Sequence, residues 1–291
     1  PVVTANAVVA NPDFERISAS GRLEYHYELI TDTYKHYPNH ARSFELWKNE
    51  GIENKLLWPQ FHGREHLNVK KWMNAINSGD PWESAGFENN VILGMGRDGS
   101  SNRTLNYMAA FEYSTEDEFK ELNSIAIDGL NIFSDLFGFP SKSFVAPCSI
   151  RGDHLDDSLK SGGVLYHQCG QQFIPNHTGG LKIKNRFWGQ RNSIGQTYWR
   201  RNATFEPSRN QNFDWISSCL AEINIAFRWG KPAVINSHRV NYMGSISLEN
   251  RDNSLRSLKQ LLHSIIIKWP DVEFMTSDTL GDLITNRSGN H

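Results

Sequence analysis

The sequence predicts an α/β fold with a mainly parallel sheet. Short apolar runs that suit buried strands alternate with longer segments in which apolar residues recur every three or four positions, as in amphipathic helices. Strands that alternate with helices of this length are joined by right-handed crossovers, which give a parallel sheet. An open doubly wound sheet and a distorted barrel both fit. In either fold the catalytic groups lie at the carboxyl ends of the strands.

The first half of the chain contains two predicted strands and two predicted helices. Val-rich residues 1–10 predict a buried strand that an Asn-Pro pair ends, and residues 58–62 predict a short strand that runs into a loop. Residues 67–76 predict a short helix. Residues 114–137 predict a long helix, because a capping-box start precedes apolar residues at helical spacing, and Gly138 and Pro140 follow.

The second half alternates strands and helices more regularly. Each predicted helix carries an apolar face, and several end at Gly or Pro. The predicted strands are residues 142–147, 164–168, 233–237 and 272–275, and the predicted helices are residues 154–160, 214–229 and 254–269, with a terminal helical turn.

Composition excludes several classes of protein. The 291 residues carry a net charge of -2 without a basic block, which argues against a dedicated nucleic-acid binder. No apolar run approaches the roughly 18 residues of a membrane span. Three scattered cysteines indicate neither a disulfide framework nor a thiolate metal site.

Because residues 1–10 lack a preceding basic region, a cytoplasmic location is favoured over secretion. The oligomeric state stays open.

The strongest candidate site is His62-Gly-Arg-Glu-His66. Two histidines four residues apart fall on one face of a helix or helical turn, where their imidazoles can converge on one metal ion. They follow a predicted strand, where active sites of such folds lie. The alternative is a pair of ordinary surface histidines. A metalloprotease is excluded, because Gly63 stands where its motif requires Glu.

Other candidates are weaker. His238 and Arg239 follow a predicted strand and suit general acid–base chemistry. Cys148 also follows a strand, but a small buried thiol is the favoured interpretation. Residues 94–99 match G-x-G-x-x-G without a convincing helix after them, so a loop is expected. Aromatic and Arg residues between 187 and 205, Trp199 among them, suit either a carbohydrate platform or a core.

Taken together, these motifs resemble the polysaccharide deacetylase (NodB homology) superfamily. A His-x-x-x-His after a strand, an Ala-Pro turn at residues 146–147 and a hydrophobic-x-His at a late strand end occur in this order. A bacterial polysaccharide deacetylase-like subgroup is similar over most of the chain, in the runs TANAVVANPDF, PQFHGREHLNV, FRWGKPAVINSHRVNY and WPDVEFMTSDTLGDLI.

The resemblance implies a distorted (β/α)7-type barrel and a divalent metal, usually zinc, held by Asp-His-His. By position, His62 and His66 match the two metal-binding histidines, and His238 matches the histidine that protonates the departing amine, with Arg239 beside it. A carboxylate base is also implied: it takes a proton from water, and the resulting hydroxide attacks the acetyl carbonyl.

Two features depart from the family pattern. No Asp-Asp pair precedes His62, so residues 1–10 are interpreted as the family's second strand, with the first strand and its carboxylates upstream of Pro1. In the alternative, residues 1–10 are the first strand and Asp13 is a ligand. The family's Arg-x-Pro-Tyr is also replaced, so the arginine that orients the base is expected to be missing or to come from Arg64, Arg151 or Arg239.

We therefore expect one barrel domain over residues 1–291, with insertions at about 25–58 and 80–113 that shape a carbohydrate pocket. The expected function is metal-dependent removal of acetyl groups from a polysaccharide or glycan precursor, without a nucleic-acid partner. Expected substrate-binding residues are Asp13, Arg64, Glu65, Trp199 and Asn241. The alternatives are a glycosidase that uses Glu65, Asp153 or Glu206, and a glycan-binding barrel without turnover.

Overall fold

The computed structural model describes residues 1–93, 107–176 and 180–288, with side chains to residue 286. The chain divides into two compact units. The larger unit contains residues 2–198 and the segment from 276 onward, and the smaller unit contains residue 1 and residues 199–275. The G-x-G-x-x-G match at 94–99 lies outside the described residues.

Eleven strands and ten helices occur in the described residues. The strands are β1 (Val3–Val8), β2 (Ala10–Pro12), β3 (Tyr27–Leu29), β4 (Leu57–Gly63), β5 (Ser143–Phe144), β6 (Tyr166–Gln168), β7 (Gln171–Pro175), β8 (Leu181–Asn185), β9 (Thr197–Trp199), β10 (Ala203–Thr204) and β11 (Ile235–Asn236). The helices are α1 (Phe14–Ala19), α2 (Ile30–Lys35), α3 (Ser43–Leu46), α4 (Val69–Ile76), α5 (Pro81–Glu88), α6 (Glu116–Phe137), α7 (Leu155–Ser161), α8 (Trp215–Arg228), α9 (Leu248–Lys268) and α10 (Ser277–Ser288).

A five-stranded parallel sheet in the order β1–β4–β5–β6–β9 confirms the predicted α/β class. One face of this sheet packs against α6, and buried Phe61, Phe133 and Phe144 form the centre of that core. The long helix begins as its sequence predicts. Thr115 accepts a hydrogen bond from the Glu118 backbone, and the Glu118 carboxylate accepts one from the backbone of Thr115. Gly138 ends the helix in the left-handed conformation.

The opposite face of the sheet is concave and polar. Asn6 and Gln168 exchange two side-chain hydrogen bonds, at 2.8 and 3.2 Å. They lie on β1 and β6, which are three strand positions apart and would be separated by about 14 Å in a flat sheet. The sheet must therefore curl between these two strands.

Helix α10 covers the amino end of this concave face. The Ser277 backbone N–H donates to Thr4 Oγ1 at 2.9 Å, and the Ser277 and Ser143 hydroxyls are 2.6 Å apart. One turn later Tyr166 donates to Asp282 at 2.6 Å. Strand β4 carries His62 near its carboxyl end, where its register with β1 shifts.

The smaller unit is a helical pair on a short parallel ladder. β10 pairs with β11, and α8 and α9 pack around buried Phe205, Ile223 and Leu261. Asp214 caps α8, which the sequence predicts as a helix over residues 214–229.

Several predicted elements need correction. Residues 272–275 form no strand, because Val272 and Phe274 pack as irregular chain against the core of the smaller unit. The strand predicted at 142–147 is only Ser143–Phe144, since Pro147 begins a tight turn. Helix α9 begins six residues earlier than predicted, at a Ser247 cap. Among the described residues, no helix is both long and apolar enough to cross a membrane.

Candidate functional site

The structure brings His62 and His66 together, although not in the way the spacing predicts. Their ring centroids lie 5.0 Å apart. His62 belongs to strand β4 and His66 to the loop after it, so the expected common helix face is wrong. Strand β4 instead ends at Gly63, and the loop after it brings the two rings together edge-on, at an interplanar angle of 69°.

Gly63 is required for this turn. Its φ of 126° lies in a region that side chains disfavour, and a Cβ added there would lie 2.9 Å from the carbonyl oxygen of Glu65. Any other residue at this position would push the loop, and His66 with it, away from β4.

The ring of His62 is held in one tautomer. The carbonyl oxygen of Val145, at the end of β5, accepts a hydrogen bond of 2.7 Å from His62 Nδ1. In the neutral ring the lone pair is therefore on Nε2. A backbone carbonyl that fixes Nδ1–H in this way is the usual support of a metal-binding histidine.

The spacing of the two rings fits a shared metal ion. Two imidazoles on one tetrahedral zinc have centroids about 5 Å apart, which matches the observed separation. Among the described residues, no group of three His, Cys, Asp or Glu side chains could hold a metal. The structure thus offers two ligands for such an ion.

Asp13, Arg64 and Glu65 have structural partners. Asp13 caps α1 by accepting from the Arg16 backbone at 2.9 Å. Glu65 is 3 % exposed and accepts from Arg64 Nε and from the Tyr25 hydroxyl, each at 2.8 Å. Burial raises the pKa of Glu65, and the charge of Arg64 offsets this only in part.

Arg64 has two further partners besides Glu65. It donates to Asp128 at 2.8 Å and lies over the ring of Tyr27 at 4.4 Å. Arg151, another candidate for orienting a base, is fully buried and donates to Asp156 at 2.5 Å. Of the three arginines considered, only Arg239 is exposed.

The smaller unit contains a carboxylate–histidine pair. His238 Nδ1 lies 2.6 Å from Glu206 Oε1, and the same oxygen accepts the His238 backbone N–H at 3.0 Å. The carboxylate is buried, whereas the imidazole side chain is 68 % exposed. Glu206 therefore fixes the ring orientation and leaves the imidazole accessible from solvent. This arrangement is typical of histidines that transfer protons.

Asn241 lies behind this pair rather than on the surface. It is fully buried and donates to Glu206 Oε2 at 2.8 Å, while its own oxygen accepts from the Ser208 hydroxyl at 2.6 Å. The sequence predicts that Asn241 binds substrate. The structure shows instead a buried amide that holds the Glu206 carboxylate in place.

His167, in the larger unit, has an environment that contrasts with that of His238. It is 1 % exposed; Nδ1 lies 3.4 Å from Arg151 Nη2, and Nε2 lies 3.0 Å from Gln196 Oε1. Burial and the nearby Arg151 charge hold its pKa well below the usual value. Its ring stacks on Tyr198, with centroids 4.9 Å apart.

Within the aromatic segment, Tyr198 and Trp199 are core residues, whereas Phe187 at its start is 63 % exposed. Tyr198 and Trp199 are 0 % and 1 % exposed, and Arg186 covers the Tyr198 ring at 4.3 Å. Carbohydrate stacking on Trp199 is therefore not supported, since a stacking ring needs an open face. Cys148, expected to be buried, is exposed in the turn after β5.

The glycosidase alternative requires carboxylates that flank a sugar bond. Asp153 accepts hydrogen bonds from Lys184, Arg186 and Gln172 at 2.6–2.8 Å. Burial raises its pKa, but the bonds from Lys184 and Gln172 and the charge of Arg186 outweigh this, so the pKa lies below the usual range. Glu65 and Glu206 are similarly engaged, and no observation favours this alternative.

Sequence reasoning did not identify Glu206 as the partner of His238. The two residues are 32 positions apart, and no local motif joins them. One local feature could have identified Glu206 as a functional residue. It follows a short apolar segment around β10, so it lies at the carboxyl end of a strand.

The chain was compared with protein-family models and with curated proteins. No family model and no curated protein matches it. The resemblance to the deacetylase superfamily therefore rests on the quoted motifs.

Proposed function

We propose that the protein is a metal-dependent carbohydrate deacetylase-like hydrolase that removes acetyl groups from a polysaccharide or glycan precursor. The observation that carries the proposal is the His62–His66 pair, with rings 5.0 Å apart and one ring fixed by the Val145 carbonyl. The proposal includes a distorted (β/α) barrel, which the curvature between β1 and β6 supports.

In this proposal His62 and His66 hold a divalent metal, most simply zinc. When bound, the metal supplies Lewis acidity and activates water. The Val145 carbonyl keeps His62 in the required tautomer, and Gly63 lets the loop bring His66 beside it. The candidate base and third ligand are the carboxylates that the resemblance implies.

His238 is proposed as the proton donor to the leaving nitrogen or oxygen. Glu206 supports this role because a buried carboxylate at Nδ1 fixes the orientation of the ring. Asn241 in turn holds the carboxylate through Oε2. Exposure of the imidazole gives a substrate access to its other nitrogen.

Acetate release tests the proposal. The full chain loaded with zinc is incubated with an N-acetylglucosamine oligomer and, separately, with an O-acetylated xylan. We expect acetate from at least one substrate, loss of release after treatment with a chelator, and recovery when zinc is added. Absence of acetate from both substrates, or unchanged release after chelation, would contradict the proposal.

A further inference from the structure

An exposed apolar segment, which we call the apolar loop, follows strand β11 at residues 240–248. Its side chains Val240, Met243, Ile246 and Leu248 are 61 %, 40 %, 100 % and 62 % exposed. Single apolar side chains are ordinary on a protein surface, whereas contiguous ones mark a surface that another molecule or a membrane covers. What the apolar loop does therefore depends on whether these side chains lie together.

The start of helix α9 holds the apolar loop in place. The side-chain amide of Asn250 donates to the carbonyl oxygen of Val240 at 3.0 Å and to that of Met243 at 3.4 Å. Gly244 packs against Leu248, because a Cβ built on Gly244 would lie 3.2 Å from Leu248 Cδ2. These contacts join the two ends of the loop, so its exposed side chains are neighbours on one surface.

Arginines border the apolar loop. Arg239 directly precedes it and is exposed, and no acidic residue occurs in the loop or in the fifteen positions before it. On α9, Arg251 packs against the backbone of the loop and donates to Asp252 at 2.8 Å. Arg251 and Arg256 together offset Glu249 and Asp252. The border is therefore basic before the loop and close to neutral after it.

The smaller unit is basic as a whole. Residues 199–275 contain ten lysines and arginines against seven aspartates and glutamates, whereas the 291 residues contain 30 against 32. The excess of acidic residues therefore lies in the larger unit. Anionic lipids attract basic segments, and exposed apolar side chains enter the boundary between headgroups and acyl chains. The apolar loop and the unit that carries it are complementary to such a surface.

A second copy of the chain is a less suitable partner for the apolar loop. The four side chains expose roughly 300 Å² of apolar area, which is less than half of the roughly 800 Å² that each partner of a stable interface buries. Ile246 is fully exposed and therefore protrudes. A protruding side chain can enter a lipid layer without a matching cavity, whereas a second copy would have to supply one.

We propose that the apolar loop docks the protein on a lipid surface that contains anionic headgroups. Ile246 and its apolar neighbours enter the lipid layer, and Arg239 pairs with phosphate. This docking goes beyond the proposed function and does not depend on it, because it concerns a binding surface rather than a reaction. Since His238 is two residues before Val240, docking also brings the exposed His238 imidazole close to the headgroups.

Co-sedimentation with vesicles tests the proposal on the full chain. The vesicles consist of phosphatidylcholine alone or of an equal mixture of phosphatidylcholine and phosphatidylglycerol. We expect the wild type to bind the mixed vesicles with an association constant of about 10⁴ M⁻¹, the order found for one inserted acyl chain. Binding to phosphatidylcholine alone should be at least about threefold weaker. Ile246→Ser/Leu248→Gln should lower binding to the mixed vesicles by about tenfold or more, because it removes exposed apolar area.

Ile266→Gln/Ile267→Gln is the matched control. These isoleucines are 47 % and 66 % exposed and lie near the other end of α9, about 27 Å from Leu248 along the helix axis. Their replacement should leave vesicle binding unchanged. Absence of wild-type binding to the mixed vesicles, equal binding to both kinds of vesicle, or full binding by Ile246→Ser/Leu248→Gln would overturn the proposal. Dimerisation that this double variant abolishes, seen by sedimentation velocity without any vesicle binding, would identify a second copy as the partner and overturn it as well.

Discussion

His238 and His167 lie in opposite environments. His238 faces solvent and has a buried carboxylate at Nδ1, whereas His167 is enclosed, with Arg151 at one ring nitrogen and Gln196 at the other. The first environment orients the ring and leaves it accessible, while the second holds the pKa of the ring well below its usual value and occupies both nitrogens. A histidine's chemistry is thus decided by which partner it has and by what remains accessible.

Replacing each histidine by alanine gives the largest expected contrast. His238→Ala should lower turnover by about 10² to 10⁴-fold, because a proton donor is lost, and should lower the free energy of unfolding by about 1 kcal/mol, because Glu206 loses one partner but keeps Asn241. His167→Ala should destabilise the fold by about 1–3 kcal/mol, because Arg151 and Gln196 lose a buried partner. Acetate-release kinetics and urea titrations of both variants check this. Full turnover in His238→Ala would remove its proposed role.

Glu206→Gln should have a smaller effect on turnover. The glutamine oxygen can still accept from His238, but the hydrogen bond is no longer charge-assisted, so the ring is held less firmly. We expect kcat to fall about 10 to 100-fold with KM unchanged. An unchanged kcat would show that Glu206 only packs against His238.

His167 should make the fold sensitive to acid. Its pKa in the folded state lies below 6.5, so below about pH 6.5 the unfolded chain binds the extra proton and stability falls. The slope from this group approaches about 1.4 kcal/mol per pH unit until the folded pKa is reached. Because carboxylates also titrate, the measurement is the difference between wild type and His167→Gln in urea titrations from pH 7 to pH 5. Parallel curves would contradict the assignment.

The free energy of unfolding also depends on pH through His154, between about pH 6.5 and pH 4. Burial and the Arg151 charge lower its pKa to about 4, and its Nε2 has no hydrogen-bond partner among the described residues. Because the unfolded chain binds this proton at a higher pH than the folded chain, the free energy of unfolding falls as the pH drops below about 6.5.

Local sequence patterns predicted the elements that local chemistry determines. Helix α6 has its capping box and Gly138 in the sequence itself, and Asp214 marks the start of α8. Strand β4 was predicted within one residue at each end. These features depend on neighbours along the chain, so a single sequence contains the required information.

The parts of the site that depend on distant residues were not predictable in this way. Glu206 and His238 meet across 32 residues, and Asn6 and Gln168 across 162. The His62–His66 pair was identified by spacing, but its conformation was wrong because Gly63 turns the chain after a strand. The hairpin of β7 and β8 was missed although Leu181 and Ile183 alternate with lysines in β8, because β7 shows no such alternation.

Zinc content measures the central claim most directly. His36 and His40 have the same spacing as His62 and His66 but are exposed, and His36 pairs with Glu28. They therefore provide a matched double variant. The wild type and His36→Ala/His40→Ala should each hold one equivalent of zinc after dialysis, and His62→Ala/His66→Ala should hold none. Equal zinc in all three chains would contradict the proposed metal site.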